Sequence, residues 1–214
     1  MLSSPSGGGK STIARHLLEA REDVTFSVSA TTRAPRAGEV DGREYHFLDR
    51  GTFERRVRAG EFLEWAEYGG QLYGTLLEEV ERGLGAGKHV VLDIEVQGAR
   101  QVRARFPNSV HVFVLPPSAA QLASRLRDRN TEDSPTLQQR LSIAADELLA
   151  APEYDYAVVN DDVVEAVAQV AAILDVEARR TRRLPSLNRV IDTLRRDLAG
   201  GGNGPVAQAS RARS

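Results

Sequence analysis

A lysine and a hydroxyl residue directly after three glycines make a combination that a polyphosphate can use. Ser4-Pro5-Ser6-Gly7-Gly8-Gly9-Lys10-Ser11-Thr12 has that order near the start of the chain. The glycines let the backbone turn tightly enough for several N–H groups to face one anion, and a following helix adds its dipole. Lys10 is spaced to reach β- and γ-phosphates, and Ser11 to put its hydroxyl on a magnesium ion. Thr12 to Leu18 continues with helical apolar spacing. Against the pattern G-x-x-x-x-G-K-[ST], Ser4 stands where the first glycine is expected, and it fits a tight turn if its φ stays negative. The bland alternative is a loop that is merely flexible, and the amphipathic helix behind it argues against that.

A second group of donors follows. Ser29, Arg33, Arg36, Tyr45 and Tyr73 fall in one short stretch, and two arginines three residues apart on a turn suit fork-like recognition of a phosphate monoester. Glu64, on an expected strand beside Trp65, could accept from both N1–H and N2 of guanine, while the Thr75 hydroxyl could serve O6. Adenine has no N1–H and cannot make that pair. Blander uses exist for each: arginines solvated on a turn, tyrosines half-buried in a sheet, Asp93 capping a helix instead of facing magnesium. Trp65 is expected in core packing, and His16 and His111 in structural roles.

The elements that must position these groups follow from periodicity. Val24 to Ser29 alternates and is expected to be one strand, with a turn-rich segment leading to a short strand at 43–47. A helix is expected over 51–59, then a hairpin of 61–68 and 71–75 around Gly69-Gly70. Thr75 and Glu78 have capping-box spacing for a helix over 76–83. His89 to Glu95 and Val110 to Leu115 read as buried parallel strands, the first ending in the acids Asp93 and Glu95. Two arginine-bearing helices, 118–129 and 137–150, around the polar loop 130–136 look like a lid. A last core strand, 156–160, precedes a helix over 161–180 with an apolar stripe at Val164, Val167, Ala171 and Leu174. The expected fold class is α/β: a phosphate-loop core with a parallel sheet flanked by helices, a small mixed-β insert and a helical lid. The core takes 1–27, 79–120 and 145–184, the insert 28–78 and the lid 121–144. The extension 185–214 offers one more amphipathic helix and then, from Gly200, a disordered tail.

Phosphate loops normally hang from a buried strand of about five residues, and only Met1-Leu2-Ser3 precede this one. The expectation is a start several residues upstream, or a truncated chain. At 214 residues with 41% hydrophobic and 27% charged content, the composition is that of a soluble globular protein. The absence of cysteine excludes disulfides and thiolate metal sites, and four scattered histidines give no zinc spacing. A net charge of −2 speaks against a broad nucleic-acid surface. With no apolar run approaching the roughly 18 residues of a membrane span and no signal-peptide pattern, a cytoplasmic location is expected. Nothing in the sequence separates monomer from homo-oligomer.

Over about residues 3–181 the sequence resembles the guanylate kinases. The motifs that carry the resemblance are Ser27 to Glu39 with Tyr45, Glu64-Trp65, Tyr73-Gly74-Thr75, Asp93-Ile94-Glu95-Val96-Gln97-Gly98 and Val159-Asn160-Asp161. The resemblance implies ATP-dependent, Mg²⁺-assisted phosphorylation of GMP, and of dGMP, to the diphosphate. It implies that Ser29, Arg33, Arg36, Tyr45 and Tyr73 hold the GMP phosphate and that Glu64 and Thr75 hold the base, with Asp93 and Glu95 on the same side. Arg125, Arg129 and Arg140 are implied as lid arginines closing over ATP, and Asn160 as lying by the adenine. Lys10, Arg36, Arg129 and Arg140 would then stabilise the transferring phosphoryl group. Glu95 stands where the family more usually has aspartate. Guanylate-kinase-like domains that bind protein partners without turnover are the alternative, and these tend to lose the phosphate loop that is intact here.

Overall fold

Short β-branched runs and amphipathic segments alternate along the chain, and in the computed structural model each run joins one of two sheets. Residues 1–128 and 137–199 are described; the expected loop at 130–136, Arg129 and the tail from Gly200 lie outside them. Strands β1 (Leu2–Ser3), β2 (Val24–Phe26), β3 (Ser29–Thr31), β4 (His46–Phe47), β5 (Phe62–Tyr68), β6 (Gln71–Leu76), β7 (His89–Val91), β8 (Val112–Leu115) and β9 (Tyr156–Val159) are interleaved with helices. These are α1 (Lys10–Ala20), α2 (Arg50–Arg58), α3 (Leu77–Gly85), α4 (Val96–Arg105), α5 (Ala119–Asp128), α6 (Leu137–Leu148), α7 (Val163–Ala178) and α8 (Leu187–Ala199).

The core sheet is parallel. β1 pairs with β8 and β8 with β9, while β2 pairs with β7. Leu2 stitches the two halves together, its N–H donating to Leu92 at 2.8 Å and its carbonyl accepting from Ile94 at 3.2 Å. The strand order is therefore β2-β7-β1-β8-β9, and the carboxyl ends of β1 and of the β7 segment lie side by side. Ile13 and Leu17 of α1, Val102 of α4 and Phe113 and Val114 of β8 are almost fully buried. Fully burying side chains of this kind contributes roughly 1.5–3 kcal/mol each.

The second sheet is mixed, in the order β4-β3-β6-β5. The β5–β6 hairpin turns at Gly69-Gly70 as expected, and β3 lies antiparallel to β6. Its apolar face packs on α2, where Phe53 stacks on Phe62 with ring centroids 4.3 Å apart. Asp49 caps α2, its carboxylate accepting from Thr52 N–H at 2.8 Å.

Several sequence expectations are corrected. The run Val24 to Ser29 is not one strand: β2 belongs to the core sheet and β3 to the mixed sheet, with Ser27 still bonded to Val91 of the core. One alternating pattern serves two sheets, so nothing local marks the break. The strand at 43–47 shrinks to β4. No capping box opens α3, because the Thr75 hydroxyl is turned to Glu64 and Leu76 is the N-cap without a side-chain bond. Trp65 is 40% exposed and is not core packing. In α7 the buried residues near its start are Ala166 and Val170, and Val164 is 75% exposed. Val and Ala recur on every side of that helix, so the sequence leaves its phase ambiguous.

The chain divides into two compact units, Met1–Ala172 and Ile173–Ser214. In the second, Glu177 pairs with Arg180 at 2.8 Å and Arg183 at 3.2 Å, and α8 exposes Val190, Ile191, Leu194 and Leu198. No helix among the described residues is long and apolar enough to cross a membrane.

Candidate active site

The phosphate loop runs from the end of β1 into α1. Gly7 and Gly9 have φ of 84° and 95°, the left-handed region, and among the described residues no amino acid other than glycine has a positive φ. Ser4 thus meets the condition on which it can replace glycine, and its buried hydroxyl donates to Pro5 O at 2.9 Å. A Cβ on Gly8 would lie 2.6 Å from that of Ser4, and one on Gly9 would lie 2.2 Å from Asn160 Nδ2. Both glycines are therefore required by what packs against them. Asn160, placed at the end of β9, donates to Gly8 O at 2.9 Å, and Arg125 of α5 donates to the same carbonyl at 3.4 Å. The Ser6 N–H donates to a Glu147 carboxyl oxygen of α6 at 2.9 Å, and burial pushes the pKa of that carboxyl up.

Lys10 and Ser11, in the first turn of α1, face the acids that follow β7. Lys10 Nζ lies 2.8 Å from Glu95 and 3.4 Å from Asp93. Burial alone would lower the lysine's pKa, but the two carboxylates outweigh it and hold the ammonium above its ordinary value. The Ser11 hydroxyl donates to Asp93 in a close contact. Asp93 does not cap α4, whose N-cap is Glu95 without a side-chain bond. Ser11 and Asp93 present adjacent hard oxygen donors, the donor type that magnesium takes. Pro5 lies buried within the loop, and Thr12 is exposed on α1.

The opposite wall comes from the mixed sheet. Glu64 is 6% exposed, and its carboxylate accepts from the Thr75 hydroxyl at 2.7 Å across the β5–β6 ladder. Burial pushes its pKa up, the Thr75 bonds pull it partly back, and the charge of Glu95 adds to the rise. Thr75 lies behind the carboxylate, its proton directed at Glu64. Ser29 opens β3 opposite Thr75. Tyr45 and Tyr73 meet edge to face at 6.1 Å, and the Arg33 guanidinium lies 5.5 Å from the Tyr45 ring centroid.

One cleft of about 520 Å³ is lined by Lys10, Ser11, Ser29, Tyr45, Glu64, Tyr73, Asp93 and Glu95. Arg33 and Arg36 are not among its lining residues. Glu39 holds both, its carboxylate accepting from the Arg33 guanidinium at 2.9 Å and from Arg36 N–H at 2.7 Å. Arg140 donates to Leu126 O at 2.6 Å, between α5 and α6, and Arg129 lies outside the described residues. Sequence reasoning gave no role to Glu39 or Glu147. Glu39 had a signal, an acid three residues after Arg36 in an arginine-rich turn. Glu147 had none, since its partner is 141 residues away.

The guanylate kinase family model matches residues 1–177. A guanylate kinase of Rubrobacter xylanophilus is 50% identical over 174 residues, covering 81% of this chain and 91% of that protein. One of Desulfitobacterium hafniense is 47% identical over 185 residues, covering 86% and 92%. The crystal structure of guanylate kinase from Anaplasma phagocytophilum superposes with a TM-score of 0.73 at 34% identity, covering 90% of this chain and 92% of that one. With the phosphate loop, the paired acids and the buried Glu64 all lining one cleft of this fold, the chain belongs to the guanylate kinase family.

Proposed function

We propose that this protein transfers the γ-phosphoryl group of ATP to GMP, and to dGMP, by in-line displacement. The observation that carries the proposal is that Lys10 and Ser11 of the phosphate loop share a cleft with Glu64, a buried carboxylate suited to guanine. The acceptor phosphate has a second pKa of about 6, so at pH 7 it is already a nucleophilic anion and needs no general base. What the protein must supply is alignment and neutralisation of two facing polyanions.

Lys10, held charged by Asp93 and Glu95, would meet the transferring group. Ser4 to Thr12 would cradle the ATP phosphates, with Arg125 and Asn160 bracing the loop at Gly8 O. Ser11 and Asp93 would hold magnesium, which when bound with ATP supplies further charge neutralisation. Ser29, Arg33, Arg36, Tyr45 and Tyr73 would bind the GMP phosphate, Arg33 exchanging Glu39 for it. Glu64, with Thr75 behind it and Glu95 beside it, would select the base. The insert, 28–78, and the lid, 121–144, would close to exclude water, bringing Arg36, Arg129 and Arg140 to the transferring phosphoryl. No observation favours a non-catalytic scaffold.

ADP formation with GMP, dGMP, AMP and CMP as acceptors tests this directly. GMP and dGMP should be turned over by the wild type, Lys10→Ala should lower kcat about 10³-fold, and Glu64→Ala should lose the preference for GMP. A wild type that prefers AMP, or forms no ADP with GMP, overturns the proposal.

A further inference from the structure

Glu64 is only as selective as its carboxylate is still, and it stands on the outermost strand of the mixed sheet. β5 pairs with β6 on one side only. Its other edge is met by the side chains of α4. The Gln101 amide takes the place of a neighbouring strand at Trp65, accepting from its N–H at 3.2 Å and donating to its carbonyl at 2.7 Å. Arg105, one turn further along α4, donates to Phe62 O at 2.6 Å. Between these two anchors the ladder with β6 slips register, at Phe62 to Glu64. The slip turns Leu63 into the core beside Leu92, Ala99 and Val102, leaving Glu64 aimed at Thr75.

The carboxylate then lies against the first turn of α4. A Cβ built on Gly98 would stand 2.3 Å from Glu64 Oε2 and 3.0 Å from its Cδ. Glycine is unfavourable inside a helix by about 1 kcal/mol relative to alanine, and the backbone of Gly98 does not have a positive φ. Neither propensity nor backbone conformation calls for glycine here; the space occupied by the Glu64 carboxyl does.

We propose that α4 sets the base specificity of this site, with Gly98 and Gln101 as positioning residues for Glu64: the glycine leaves the volume its carboxylate occupies and the amide fixes the strand that carries it. The ligand discriminated is a purine monophosphate with both N1–H and an N2 amino group. The inference rests on the assignment of Glu64 to the base, and on nothing else in the proposed function.

The test is steady-state phosphoryl transfer from ATP to GMP and to IMP, which keeps N1–H and O6 but lacks the N2 amino group. Wild type, Gly98→Ala, Gln101→Leu, Glu64→Ala and the Gly98→Ala/Glu64→Ala double variant are compared. A misplaced charged acceptor should raise KM for GMP roughly 10- to 100-fold in Gly98→Ala and about fivefold in Gln101→Leu. The GMP-over-IMP preference should shrink in both, with KM for ATP and kcat at saturating GMP within about twofold of wild type. In the Glu64→Ala background the Gly98→Ala change should have no further effect, the coupling that a double-mutant cycle isolates. An equal rise in KM with and without Glu64, or an unchanged GMP-over-IMP ratio, overturns the inference. If Glu64→Ala itself leaves KM for GMP untouched, the assignment of Glu64 has failed instead. Should Gly98→Ala not fold, Gln101→Leu gives the same comparison alone.

Discussion

The two ends of the cleft are built from different materials. The proposed phosphate end is main chain: N–H groups of a loop that Gly7 and Gly9 bend into the left-handed region, braced at one carbonyl by Asn160 and Arg125. The proposed base end is side chain: one buried carboxylate, a hydroxyl behind it and a strand edge stapled to α4. A polyphosphate is recognised by charge, which Lys10 adds, and by the spacing of donors, which the backbone supplies with uncharged groups. A base is recognised by the pattern of its edge, and reading that edge requires a carboxylate held away from water at an energetic penalty.

If that division is right, damage at one end should leave the other intact. Lys10→Ala should show the largest effect, a fall in kcat of about 10³-fold in a coupled ADP assay, with KM for GMP changed only a few-fold. A comparable shift in both constants would mean that the two ends are not separable. Glu64→Gln should lower kcat/KM for GMP by roughly 10²-fold and leave KM for ATP unchanged. Because burial raises the Glu64 pKa in the fold, its ionised form opposes folding at neutral pH, and removing the charge should raise the melting temperature of the nucleotide-free protein. A lower melting temperature would contradict the penalty invoked above.

Thr75→Val should raise KM for GMP about tenfold, and Thr75→Ser, which keeps the hydroxyl, should restore the wild-type value. A wild-type KM for GMP in Thr75→Val would show that the bond to Glu64 is not needed. The smallest effect on turnover is expected from His111, which belongs to neither end. It is buried in the core, and burial together with Arg103 lowers its pKa to about 4 from an ordinary 6.5. The unfolded chain therefore takes up this proton first on acidification. Its contribution is complete above about pH 6.5 and is lost as pH falls towards 4, roughly 3 kcal/mol in all. Urea midpoints measured from pH 7 to pH 4 should fall more steeply for wild type than for His111→Gln.

The two ends also differed in how legible they were in the sequence. Ser4 to Ser11 could be read directly because a loop built from backbone announces itself by glycine spacing over a few consecutive residues. Glu64 and Thr75 could be named as base readers from chemistry, but the Thr75 proton is given to Glu64, and a capping box that looked local at Thr75 and Glu78 does not form. Gln101 gave no sign, and Gly98, though part of the family motif, gave no sign of its packing against Glu64, since their partners lie on a strand over thirty residues earlier. The fold class and most element positions followed from periodicity. The break after Phe26 and the phase of α7 did not, because in both places the pattern is compatible with two arrangements that only tertiary packing separates.

Glu147 gives the phosphate loop a property beyond its shape. Its carboxyl accepts from the Ser6 N–H, so one donor of the loop already has a partner on α6. A nucleotide bound at this loop, as proposed, would have to displace that acceptor, and the affinity measured would be the difference between the two. The displaced carboxyl is fastened to α6, so nucleotide binding at the proposed site would also push on that helix.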